Sequence, residues 1–101
     1  MDDIIVSSIV RSKNGRDAGK LFVVVGFPKE NHVSIANGRQ RKIESPKTKK
    51  LKHIELYAQS STRTGEKLRA GEKVTNAELR REIAGTQESS DEAADSMTGG
   101  N

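Results

Sequence analysis

Leu21-Phe22-Val23-Val24-Val25-Gly26-Phe27 is a continuous apolar run closed by Pro28, and it carries the strongest structural instruction in the chain. Its length and β-branched content predict a central strand, ended by a proline that has no N–H for a ladder. Strand side chains alternate faces, so an unbroken run requires an apolar neighbour on both. One face can line a small core; the other needs a cover from elsewhere in the chain or from a partner.

Outward from this run, residues 4–12 are β-branched and free of Gly and Pro, and predict a first strand. Between the two lies Lys13-Asn14-Gly15-Arg16-Asp17-Ala18-Gly19-Lys20, a turn rich in residues that tolerate positive φ. Downstream, His32-Val33-Ser34-Ile35-Ala36 alternates and ends at Asn37-Gly38, the strongest short hairpin signal. A returning strand is expected over 39–44, broken by Ser45-Pro46, and a fifth over 51–57, where Ile54 and Leu56 share a face. Five short strands joined by tight turns imply a small closed or nearly closed barrel, because an open sheet of that size leaves its edges unprotected. The fold class is mainly β, with the barrel in residues 1–58.

Residues 59–73 are polar and aperiodic and predict a linker. Residues 74–85 then carry a helix signal. Thr75 and Glu78 form a capping box, Val74 and Leu79 a hydrophobic staple, Leu79 and Ile83 stack one turn apart, and Gly85 is the expected stop. So short a helix is unstable alone in water. It should dock, either on the second face of the central strand or on a partner. Residues 86–101 hold four acidic residues and no basic ones, and predict a disordered acidic tail.

Composition agrees with a small core. Hydrophobic residues are 32% and aromatics 3% of the 101 residues, below the roughly 45–50% apolar content of average globular chains, so there is room for one domain. Absence of cysteine excludes disulfides, zinc ribbons and thiol catalysis and fits a reducing cytoplasm. The acidic Met1-Asp2-Asp3 start is unlike a secretory signal, and the apolar runs fall short of the ~20 residues of a membrane span. A cytoplasmic monomer without a membrane partner is expected. The net charge of +4 is unevenly spread: residues 10–58 hold twelve Lys/Arg against four Asp/Glu. Such concentration is the footprint of a polyanion binder.

Two segments carry that charge. Arg11, Lys13, Arg16 and Lys20 surround the turn containing Gly15 and Gly19, whose exposed N–H groups would suit a phosphate. The spacing is not that of a Walker loop, which needs four residues between its glycines and Ser or Thr after the lysine. In residues 39–53, seven of fifteen are basic: Arg39, Arg41, Lys42, Lys47, Lys49, Lys50 and Lys52. About five phosphate contacts would give a log–log salt slope of roughly −3.5 to −4.5. A solvated basic face or a lysine-guarded edge strand would give the same pattern. His53 lies in this stretch, positioned to hydrogen-bond phosphate; His32 and His53 lack the neighbours of a metal site. Phe22 is expected in the core, while Phe27 and Tyr57 are open between core and base stacking. No catalytic constellation is recognisable, so neither an enzyme nor a cofactor is expected.

Residues 10–25, hydrophobic strands flanking a glycine-containing loop, resemble a KOW motif. Extended through Asn37-Gly38, Arg41-Lys42 and Pro46-Lys47 to Lys52-His53, the match resembles small bacterial KOW-domain RNA-binding proteins. These are similar to the KOW-bearing large-subunit ribosomal proteins of archaea and eukaryotes, notably number fourteen. The resemblance covers residues 8–57 and implies an SH3-like barrel that contacts ribosomal RNA, with Gly19 at the loop-glycine position and ribosomal proteins as further partners. It says nothing about the acidic tail. KOW domains also occur in transcription-elongation factors, so a protein-binding adaptor in transcription or translation is the second reading. A DNA-binding architectural protein is the third.

Overall fold

The apolar run folds as expected of a strand covered on both sides. In the computed structural model, which describes residues 4–97 and their side chains through residue 86, Leu21–Gly26 forms β2 at the centre of a five-stranded antiparallel sheet. The others are β1 (Ile9–Ser12), β3 (His32–Ala36), β4 (Lys47–Lys50) and β5 (Ile54–Ala58), in the order β4-β3-β2-β1-β5. A 3₁₀ turn, Leu51–His53, joins β4 to β5. Helices α1 (Arg63–Arg69) and α2 (Asn76–Met97) follow.

Alternation along β2 separates two apolar clusters. Phe22 and Val24 pack with Val10, Val33, Ile35 and Ile54 on one face. Leu21 and Val23 pack on the other with Ile9, Ala36 and, from the helical segment, Val74 and Leu79. The helix therefore docks on its own sheet. Its start is built by the expected capping box: the Thr75 N–H donates to Glu78 Oε1 at 2.8 Å, and the Glu78 N–H donates to Thr75 Oγ1 at 3.2 Å. Lys67 Nζ adds a 2.6 Å contact to Glu78. That hydrogen bond, more than the cap, holds the Glu78 carboxyl at about 2, well under its ordinary 4.5.

Four expectations are corrected. The first strand begins at Ile9, not Ile4, because Ser7 adopts a φ of 87° and Ser8 folds back on Ile5. The return strand is β4, not 39–44. Asn37 Oδ1 accepts the N–H groups of Arg39 and Arg41, making a wide loop whose partner is α2: Asn76 Oδ1 accepts the Ile43 N–H at 2.8 Å, and Arg80 donates to the Gly38 carbonyl at 2.7 Å. The Asn37 and Gly38 N–H groups turn back on the Arg41 carbonyl at 2.8 and 3.0 Å, and the pairing strand begins only at Lys47. Residues 59–73 are not all linker, since α1 lies within them, capped by Thr62. Its single apolar anchor, Leu68, gives no period to read. Finally, Gly85 does not stop α2, and 86–101 is not wholly irregular: the helix backbone continues to Met97. Residues 98–101 lie outside the described part.

Gly38 has a φ of +76°, and a Cβ there would collide with the Asn76 carbonyl oxygen; Gly19, at +87°, has nothing within 4 Å. Gly38→Ala should therefore lower Tm clearly more than Gly19→Ala, which bears only backbone strain. Leu79→Ala should cost about 2–5 kcal/mol in urea denaturation. Near-neutral values for Gly38→Ala and Leu79→Ala would contradict the helix dock.

Candidate nucleic-acid interface

The basic loop between β1 and β2 is rigid by construction. Gly15 and Gly19 take positive φ. The N–H groups of Ala18, Gly19 and Lys20 donate to the carbonyls of Gly15, Ser12 and Asp17. These three are therefore not free for the phosphate contact that the sequence suggested.

Its anchor is Asp17. This side chain is buried and accepts Lys47 Nζ at 2.8 Å. The Lys47 hydrogen bond holds the Asp17 carboxyl below its ordinary value against the opposing effect of burial, helped by the fields of Arg41 and Lys49. Lys49 Nζ donates to the Asn14 carbonyl at 2.9 Å. Lys47 and Lys49 alternate onto one side of β4, so the edge strand reaches across to the loop with two ammonium groups.

Around His53 the charges are less balanced. Burial, then Lys52, Lys49, Lys50 and Lys13, hold this imidazole below its ordinary 6.5. The Lys13 N–H donates to the His53 carbonyl at 2.8 Å, which brings the loop to the 3₁₀ turn. Lys13, Lys50 and Lys52 are exposed and have no ion-pair partner among the described residues. A third group lies beyond the loop, where Lys20 and Arg39 meet Arg80 of α2 around a hollow of about 310 Å³.

The remaining expected contacts divide. Lys47 is matched by Asp17. Arg11 is paired with Glu55 at 2.9 Å, with its guanidinium 5.4 Å over the Tyr57 ring. Tyr57 thus has a cation over its ring and packs toward the helix-side cluster. Lys42 acts on Glu44 together with Lys73, apart from the His53 group. Arg16 is exposed at the loop tip. Phe22 is fully buried, as expected, whereas Phe27 is 47% exposed. Arg80 gave no signal in the sequence, because only the dock of α2 brings it to Gly38.

Other polar groups are structural. Glu82 is buried and accepts the hydroxyls of Ser60 and Thr62, and Arg69 donates to Ser7 Oγ at 2.7 Å, tying α1 to α2 and to the start of the sheet. Among the described residues no three His, Asp or Glu side chains gather as a metal site, and no helix is long and apolar enough to cross a membrane. Compared with protein-family models and with curated proteins, the chain matches none.

A phosphate placed beside His53 would favour its charged form, so binding raises a depressed pKa and takes up a proton. Affinity for a short RNA should rise between about pH 7.5 and about pH 5.5, and His53→Gln should remove most of that rise. The free protein should move oppositely: the imidazole is harder to protonate when folded, so stability falls as pH drops through 6.5. Anisotropy titrations and urea melts at several pH values check both signs.

Proposed function

We propose that this protein is a non-enzymatic RNA-binding domain of the SH3-like, KOW type that grips backbone phosphates, with ribosomal RNA as its partner. The observation that carries the reading is the convergence of Lys13, Lys49, Lys50 and Lys52 on His53, three of them exposed and without an ion-pair partner among the described residues. Like charges held together raise one another's energy, and a polyanion relieves that. Arg41, acting on Asp17 with Lys47 and Lys49, extends the same positive field along the loop.

Sheet geometry supports the barrel. β4 and β5 are the two edges, yet only three residues separate them. In a flat five-stranded sheet the edges stand about 19 Å apart, whereas a 3₁₀ turn advances roughly 2 Å per residue. The sheet must curl strongly to bring the edges together there.

Lys47 and Arg11 hold the protein's own carboxylates and belong to its architecture in this reading. Replacing Lys13, Lys50 and Lys52 with Gln should weaken RNA binding and flatten the log–log salt slope by about 2 for a single strand, with little change in Tm. Lys47→Gln should instead lower Tm by unpairing buried Asp17. If the triple variant bound RNA as the parent does, the phosphate reading would fail. Binding to a protein that persists in high salt would redirect attention to exposed Phe27 and Leu56, the adaptor reading.

A further inference from the structure

Beside the lysine group, three chain segments are locked around one hollow by backbone hydrogen bonds. The Lys13 N–H donates to the His53 carbonyl at 2.8 Å, and the Leu51 N–H donates to the Asn31 carbonyl at 2.9 Å. Asn31 holds a φ of 62°, a left-handed turn conformation that asparagine tolerates better than most residues with side chains. The turn between β2 and β3 is thereby fixed against the 3₁₀ turn. The space between them is about 660 Å³, within the size range of ligand pockets.

Its lining is chemically divided. Leu51 and Ile54 give apolar wall, and Lys13, Lys50 and Lys52 give positive charge. Two acceptors complete it. His32 Nδ1 lies 2.7 Å from the Glu30 carbonyl oxygen; a carbonyl only accepts, so Nδ1 is the donor of that bond, and in the neutral tautomer that makes it Nε2 is an acceptor. Glu30 also lines the space, and its exposed carboxylate can only accept.

We propose that this hollow receives one nucleotide of a single-stranded RNA, its phosphate on the lysines and its base against Leu51 and Ile54, and that it prefers guanine. Guanine presents two adjacent N–H donors on the edge that pairs, which a carboxylate can accept together, whereas adenine presents one donor group beside an acceptor. A duplex cannot deliver that edge, because its partner strand occupies it. The proposal rests on the RNA reading; the base preference goes beyond it, since phosphates are common to every nucleotide.

The test uses the full chain, amide chemical shifts, and three probes: 5′-GMP, 5′-AMP and inorganic phosphate. GMP should move the amides of His32 and of residues 50–54 and bind about tenfold more tightly than AMP. Glu30 and Lys52 are both exposed, so Glu30→Gln and Lys52→Gln leave the fold in place. Lys52→Gln should weaken GMP and AMP alike. Glu30→Gln should strengthen AMP and phosphate by removing a like charge, while the advantage of GMP shrinks to under about threefold. Equal binding of GMP and AMP to the parent, or a parallel gain for both in Glu30→Gln, would reduce the hollow to an anion site and overturn the proposal. Silence at these amides while a ten-nucleotide RNA still binds salt-sensitively would overturn the subsite and leave the RNA reading standing. Failure of RNA to bind at all would sink both, as would an acidic peptide moving these amides where GMP does not.

Discussion

Burial of β2 on both faces is the constraint from which the rest of the architecture follows. Phe22 and Val24 demand one apolar layer, Leu21 and Val23 another, and a chain with so few hydrophobic residues meets both demands with side chains of the neighbouring strands on one side and with α2 on the other. Once α2 sits there, Gly38 and Asn76 must come within contact, and the loop before β4 is shaped to let them. That same loop carries Arg39 and Arg41 to the β1–β2 loop. Packing thus decides where the charge goes.

The charges of this molecule divide into those paired within the chain and those that are not. Lys47 with Asp17, Arg11 with Glu55, and Lys67 with Glu78 are matched within the chain. The Lys47 contact, with a buried carboxylate, fixes the edge strand to the loop. Among the described residues Lys13, Lys50 and Lys52 have no ion-pair partner where β4 turns into β5; burial first, and then their field with that of Lys49, lowers the His53 pKa. A bare lysine on an edge strand, as Lys50 is on β4, also discourages pairing with another sheet.

Much of this was legible in the sequence where one residue type has one physical use. The central strand, the Thr75–Glu78 cap, and the burial of Val74 and Leu79 follow from local pattern. What pattern could not show was a contest between local and distant interactions. Asn37-Gly38 has the chemistry of a tight hairpin, but the Asn37 and Gly38 N–H groups turn back on the Arg41 carbonyl, the Asn37 side chain takes the Arg39 and Arg41 N–H groups, and Arg80 takes the Gly38 carbonyl. Gly65 and a lone Leu68 concealed α1, and the mid-helix Gly85 has the same letter as a helix stop. The site was half readable: the lysine-rich stretch was evident, yet nothing in the order of residues separates Lys47, which is internally paired, from Lys50, which is not. Arg80, Glu30 and Asn31 become relevant only through folded proximity.

The central claim is that RNA covers the lysines that converge on His53. Lysine acetylation of the full chain, read residue by residue by mass spectrometry with and without a short single-stranded RNA, tests it directly. Protection of Lys13, Lys50 and Lys52, with Lys73 modified equally in both states, is the result the account requires. Equal protection of all four, or none at the first three under conditions where RNA is bound, would contradict it.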